Sequence, residues 1–210
     1  MITIIDYGVG NLKSVQNAFL ALKQNVEVTA DPEKIMNART LVLPGQGAFA
    51  SAMDNLKKLG LDQLVKMHIR DKRAFLGICV GFQLLFECSF EHGVQEGLSI
   101  FPGDVQRFET NSLKIPHMGW NKINIVNDNY GFFRGIPTNS YVYFVHSYYV
   151  ASSNQDCVAA ETEYGIPFVS AIHGPNLLAT QFHPEKSGSI GLKLLTNFLN
   201  ETQPKAPPIR

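Results

Sequence analysis

The run Ala74-Phe75-Leu76-Gly77-Ile78-Cys79-Val80-Gly81 decides the fold of this chain. Its first five residues are short and wholly apolar, the pattern of a strand buried on both faces of a parallel sheet. Phe82, Leu84, Leu85 and Phe86 then read as a helix. Between strand and helix stands a cysteine with a glycine two residues to either side. A nucleophile on such a strand-to-helix turn is held in a strained backbone conformation and projects from the sheet edge, where the tight turn admits only small flanking residues. A helix starting at the nucleophile also turns its free N–H groups toward a thiolate and a developing oxyanion. A lone cysteine more often packs as a small hydrophobe. The paired glycines argue for the reactive reading.

Toward the N-terminus the same texture repeats. Ile2–Ile5 reads as a buried strand, followed by a helix with Leu12, Val15, Phe19 and Leu22 on one face. Residues 26–28 form a weak strand and Thr40–Leu43 a stronger one. Phe49, Ala52, Met53 and Leu56 mark one amphipathic helix, and Leu61, Leu64, Val65 and His68 another. This alternation predicts an α/β fold, a mostly parallel central sheet with helices on both faces. Beyond about residue 97 helical periodicity fades. Strand-like pieces follow at 104–108, 122–126, 141–145, 158–161, 168–173 and 177–182, separated by turn formers. The C-terminal half is therefore expected to be β-rich, with antiparallel additions to the main sheet. A last helix carries Ile190, Leu194 and Phe198. Residues 1–202 are read as one domain, and 203–210, with three prolines, as a frayed tail.

The chain has 210 residues, 45% of them hydrophobic, which suits one α/β domain. Eighteen Lys and Arg balance eighteen Asp and Glu, so bulk charge gives no argument for nucleic acid or an acidic membrane surface. No basic leader precedes a long apolar segment, and no stretch has the roughly 20 apolar residues that a spanning helix needs. Cys79, Cys88 and Cys157 are odd in number and widely spaced, unlike a disulfide framework. A cytoplasmic setting is expected. His68, His92, His117 and His173 have no metal-ligand spacing, so no metal is assigned.

A nucleophilic thiol needs a base, and Gln181-Phe182-His183-Pro184-Glu185-Lys186 offers one at the end of a predicted strand. His183 can take the Cys79 proton and return it to a leaving amine, while Glu185, across a rigid proline, holds the imidazole tautomer. Taken alone, His-Pro-Glu would be a strand cap beside a solvated acid. Leu43-Pro44-Gly45-Gln46-Gly47-Ala48-Phe49 adds a glycine-rich turn after a strand, able to aim backbone N–H groups into a cavity. Gly8-Val9-Gly10 has the start of a dinucleotide fingerprint, but Lys13 stands where the third glycine belongs. No cofactor is expected.

These stretches, in this order and over roughly residues 1 to 200, resemble the class I (triad-type) glutamine amidotransferases. The resemblance implies their flavodoxin-like fold and a Cys79, His183, Glu185 triad that hydrolyses glutamine. The family's Gly-Ile-Cys-x-Gly-x-Gln-Leu pattern continues through Gln83 and Leu84, which implies that Gln83 contacts bound glutamine. It further implies oxyanion N–H groups from Val80 and the Gly45–Gln46 peptide, and His146-Ser147-Tyr148 as the segment that aligns the amino-acid end. Gln46 stands where a small apolar residue is usual, and Val80-Gly81-Phe82 replaces Leu-Gly-Met.

Within the family, Asp6-Tyr7-Gly8-Val9-Gly10-Asn11-Leu12-Lys13-Ser14-Val15, Pro116-His117-Met118-Gly119-Trp120-Asn121 and Tyr143-Phe144-Val145-His146-Ser147-Tyr148 resemble the glutaminase subunits of imidazole glycerol phosphate synthases. That resemblance implies a separate (β/α)₈ cyclase as heterodimeric partner, consistent with a chain whose length the amidase nearly consumes. It implies that Asn11, Lys13, His117, Met118 and Trp120 face the partner beside the ammonia exit, with Tyr143 placed to gate it. An alternative within the enzymes is a paralogous subunit that supplies ammonia to a sugar-amidating synthetase of surface polysaccharide assembly. A scaffold that lost activity and a cysteine peptidase on the same fold are further rivals, disfavoured by the intact triad and by Gln83.

Overall fold

The computed structural model describes residues 1–109, 113–151 and 154–202. Strands and helices alternate at first: β1 (Ile2–Ile5), α1 (Leu12–Ala21), β2 (Val26–Thr29), α2 (Pro32–Met36) and β3 (Thr40–Leu43). Two amphipathic helices, α3 (Phe49–Lys58) and α4 (Leu61–Arg70), lead to β4 (Ala74–Ile78) and the short α5 (Val80–Gln83). Strands then dominate, beginning with β5 (Cys88–Ser89), β6 (Gln95–Glu96) and β7 (Asp104–Arg107). Next come β8 (His117–Lys122), β9 (Asn124–Ile125), β10 (Tyr141–His146) and β11 (Tyr148–Ala151). β12 (Val158–Glu163), β13 (Pro167–Gly174) and β14 (Leu177–Thr180) precede the closing α6 (Gly188–Thr202).

The main sheet runs β2-β1-β3-β4-β14-β13-β11-β7-β5-β6, with β12 and β9 branching from β13. From β2 to β14 all pairs are parallel. β1, β3 and β4 are buried at every residue, as apolar strands covered on both faces must be. In α3, Phe49, Ala52, Met53 and Leu56 recur at helical spacing and turn inward onto the sheet, none more than 3% exposed. α2 owes its start to Asp31, whose side chain accepts from Glu33 N at 2.9 Å, and to Pro32 in the first turn. The chain reverses its direction of travel across the sheet between β1 and β3, and ligands bind outside the carboxyl ends of strands near such a point.

Past β14 the sheet is largely antiparallel, and β8 pairs β10 in a separate two-stranded ribbon. Two readings need correction. The helix after Cys79 ends at Gln83, so Leu84, Leu85 and Phe86 lie beyond it. Their carbonyls are taken by tertiary bonds from Leu98, Ile100 and Ser99 N–H, at 2.8, 2.8 and 3.0 Å. The strand expected at 122–126 is two strands, because at Ile123 the chain leaves β10 for β12 and Ile123 bonds the 139–140 turn instead. β11, which no periodicity announced, begins where the chain passes from the ribbon to the main sheet. The expectation for 203–210 falls outside the described residues. No helix among the described residues is long and apolar enough to cross a membrane.

Candidate active site

Four adjacent strands deliver the site from their carboxyl ends. β4 ends at Cys79, whose φ of 55° and ψ of −110° lie where a side chain is strained. The turn is held by Cys79 N–H donating to Thr180 O at 2.8 Å. Gly81 is dictated by contact: a Cβ there would lie 2.0 Å from the Leu43 carbonyl oxygen. β3 ends in Pro44-Gly45-Gln46-Gly47, and Gly45 packs directly on Val80 and Gly81. β1 contributes Tyr7, which is buried and donates from its hydroxyl to Pro44 O at 2.6 Å. Burial, and then the charge of Cys79, push the Tyr7 phenol well up, so it stays a donor to the glycine turn.

β14 leads to His183, whose Nδ1 lies 2.8 Å from Glu185 Oε1, both side chains being 2% exposed. Burial alone would push the imidazole down. The adjacent Cys79 sulfur and the Glu185 carboxylate outweigh it and raise His183 to about 10, favouring the imidazolium. Nε2, the other ring nitrogen, is buried with no hydrogen-bond partner among the described residues. The backbone of this segment is fastened twice: His183 N–H donates to Tyr143 O at 2.9 Å, and the Ser187 hydroxyl to His183 O at 2.6 Å.

A cavity of about 350 Å³ opens over Cys79. Gln46, Val80, Gln83, His146, Ser147 and Tyr148 line it; Gly45 is buried and is not among the lining residues. Gln83 is buried and donates from Nε2 to Tyr148 O at 3.0 Å and to Gln181 Oε1 at 2.9 Å. Sequence reasoning missed Glu91, which reaches the same cavity while its Oε2 accepts from Phe49 N–H at 2.7 Å. A loop acid between two-residue strands leaves no periodic trace. Gln181 was visible only as a neighbour of His183, yet its Nε2 lies 3.8 Å from the Cys79 sulfur.

The residues expected at a partner interface divide. Met118 and Trp120 are 65% and 55% exposed, and Trp120 meets the half-buried Tyr143 edge-on at 6.1 Å. Lys186 lies over the Tyr143 ring. Asn11 is the exposed cap of α1, its side chain accepting from Ser14 N at 3.2 Å, and Lys13 is exposed beside Gln16. His117 differs from them in burial. It is 3% exposed, because alternation along β8 turns it inward between Phe144 and Tyr164.

A sequence model of the glutamine amidotransferase class-I family matches residues 3–202. The chain belongs to that family. Relatives named imidazole glycerol phosphate synthase subunit HisH are similar to it along almost their whole length. The protein of Caldanaerobacter subterraneus subsp. tengcongensis is 50% identical over 94% of this chain and 97% of its own. That of Syntrophotalea carbinolica is 48% identical over 94% and 98%, and that of Methanocaldococcus jannaschii 48% over 95% and 98%. Among solved structures, a glutamine amidotransferase shares the fold with a TM-score of 0.74 at 16% identity, covering 96% of this chain and 99% of that one. A glutamine amidotransferase from Thermotoga maritima gives 0.63 at 18%, over 95% and 82%. At these identities the two structures speak for the fold alone. The class I amidotransferase architecture expected from the sequence is therefore the family's own.

Proposed function

We propose that this chain hydrolyses glutamine to glutamate and ammonia, as the amidotransferase subunit of an imidazole glycerol phosphate synthase in histidine biosynthesis. The ammonia passes to a (β/α)₈ cyclase partner that makes imidazole glycerol phosphate and aminoimidazole-carboxamide ribotide. The observation that carries this reading is Cys79 lining the cavity, with the Glu185-bonded His183 ring close enough to be raised by the charge of its sulfur. Relatives of 48–50% identity bearing the subunit's name support the pathway. They give no support to the sugar-amidating alternative.

The Cys79 thiolate attacks the side-chain amide of glutamine, and backbone N–H groups of Val80 and the Gly45–Gln46 peptide take the oxyanion. His183 protonates the departing amine and then activates the water that hydrolyses the thioester, with Glu185 holding its Nδ1–H. Gln83 and the His146-Ser147-Tyr148 corner align the amino-acid end, and the Glu91 carboxylate supplies the charge that its ammonium needs. Free ammonia in neutral water is mostly protonated and then no nucleophile, so handover through a dry passage is favoured. Met118, Trp120 and Tyr143, with Asn11 and Lys13 at the start of α1, form the partner-facing surface. α1 packs on the turn that carries Glu185. Residues 1–202 act as one unit, in the cytoplasm.

The test is glutamate production by the full chain with and without the cyclase and its ligand. Turnover should rise when the partner is present and fall by about 10⁴-fold in Cys79→Ala. Full turnover by Cys79→Ala, or cleavage of peptides in place of glutamine, would contradict the proposal.

A further inference from the structure

Two buried histidines outside the triad stand between the cavity and the outer face of β8. His146 lines the cavity over Cys79. His117 lies behind it and also borders the outer groove formed by Met118, Trp120 and Asn121. The hydrogen bonds joining them fix where every proton sits. The Tyr148 carbonyl can only accept, so His146 Nδ1, 2.8 Å away, carries a hydrogen and donates it. In a neutral imidazole Nε2 is then an acceptor. It faces His117 Nδ1 at 2.9 Å, so His117 donates from Nδ1 and accepts at Nε2. That Nε2 receives the Asn121 amide at 3.2 Å, whose nitrogen also donates to Glu163 O at 2.9 Å.

The direction is single: Asn121 to His117 to His146 to the Tyr148 carbonyl. Burial holds both rings neutral, pushing His117 down to about 4 and His146 to about 3. The Tyr148 carbonyl also accepts from Gln83, which bonds Gln181, which lies against the Cys79 sulfur. The chain of bonds therefore runs from the groove to the nucleophile.

Shape does not require a histidine at 117. The ring lies against Tyr164 at 4.0 Å and Phe144 at 4.7 Å, a slot that phenylalanine would fill equally well. What phenylalanine lacks is the Nδ1–H, and without it His146 Nε2 is a buried acceptor with nothing to accept. The Tyr148 carbonyl still keeps the hydrogen of His146 on Nδ1, but the ring is then anchored at one nitrogen only, and its bond to that carbonyl loosens.

We propose that His117 is a positioning residue for the glutamine site, anchoring the His146 ring at Nε2 and through it the Tyr148 carbonyl of the cavity wall. The proposal rests on the glutaminase reading above. Two measurements on the full chain with its cyclase partner test it. In ¹⁵N-histidine-labelled wild type at neutral pH, both rings should carry hydrogen on Nδ1 and none on Nε2. An Nε2–H tautomer or a charged ring at either position overturns the assignment. In kinetics, His117→Phe should raise KM for glutamine about tenfold, the worth of one hydrogen bond, with kcat little changed. His117→Asn, which keeps an N–H donor at the same branch point, should restore KM to near the wild-type value. A folded His117→Phe with unchanged KM, or a His117→Asn as impaired as the phenylalanine variant, overturns the proposal. If His117→Phe fails to fold, the tautomers and the asparagine variant decide. A wild-type complex that does not turn over glutamine sinks the functional reading itself; wild-type turnover with an unaffected His117→Phe sinks this proposal alone.

Discussion

The two sides of the cleft over Cys79 are built on different principles. On the parallel side, backbone contact sets the geometry: Cys79 is held at positive φ, and Gly81 lies against the Leu43 carbonyl with no room for a side chain. On the side of β14 and the antiparallel strands beyond it, side-chain hydrogen bonds set it. Glu185 holds His183, Ser187 ties the His183 carbonyl, and His117 with Gln83 steadies the Tyr148 corner. Cys79 is thus carried on a turn set by backbone contact, while His183 and the cavity wall at Tyr148 ride on a network that single substitutions can loosen. The parallel side should respond to mutation by losing its fold, the other by losing its rate.

The sharpest way to break that contrast is Glu185→Gln. It keeps the size of the side chain but removes the charge that favours the imidazolium, so glutamine turnover should fall roughly 10²- to 10⁴-fold with little change in thermal stability. A large loss of stability with turnover preserved would reverse the assignment of roles. Gly81→Ala tests the other side. Its methyl must displace the Leu43 carbonyl, at a cost of about 3 kcal/mol in denaturant unfolding. An alanine variant as stable as wild type would mean the turn is looser than described. Smaller still is Gly191→Ala in α6, where a Cβ would come within 1.8 Å of the Pro184 carbonyl. Shifting the 184–186 turn misplaces Glu185, and turnover should drop about 10²-fold through geometry alone.

The smallest effect concerns acid. His68, in α4 on the parallel side, is fully buried and held down at about 4, mainly by burial, with its Nε2 bonded to Ala74 O at 2.9 Å. Its folded value lies below that of an exposed histidine, near 6.5. The unfolded chain therefore binds the proton first, and the stabilisation present above about pH 6.5 is lost as pH falls toward 4. His117 and His146 behave likewise on the antiparallel side. His68→Gln should flatten the fall of unfolding free energy between pH 6 and 4.5 by about 1.4 kcal/mol per pH unit. An unchanged slope would mean that His68 is protonated in the fold.

The same division explains what the sequence disclosed. β1, β3, β4, α3 and α4 were legible because each buries a face defined by its own residues: a continuous apolar run or a repeat at helical spacing. Cys79, the glycines around it and the His183–Glu185 pair were legible because their chemistry is local too. Across the cleft, local signals fail. β8 alternates with exposed Met118 and Trp120 outward and buried His117 inward, the inverse of an ordinary solvated strand, so neither the strand nor the inward turn of His117 could be read. α5 stops at Gln83 because N–H groups from residues 98–100 claim the carbonyls that would continue it. β11 exists only through pairing with β7 and β13, and Glu91 reaches the cavity from a loop. Each of these depends on partners distant in sequence.

The pairing of the Cys79 sulfur with the His183 ring across the two halves can be observed directly by following the ring ¹⁵N shifts of His183 against pH, in wild type and in Cys79→Ala. The wild-type ring should remain an imidazolium well above neutrality, deprotonating near 10, and the alanine variant should deprotonate at distinctly lower pH because burial is then opposed by Glu185 alone. A wild-type ring already neutral at pH 7, or a titration indifferent to the loss of the sulfur, would show that the two groups do not act as a pair.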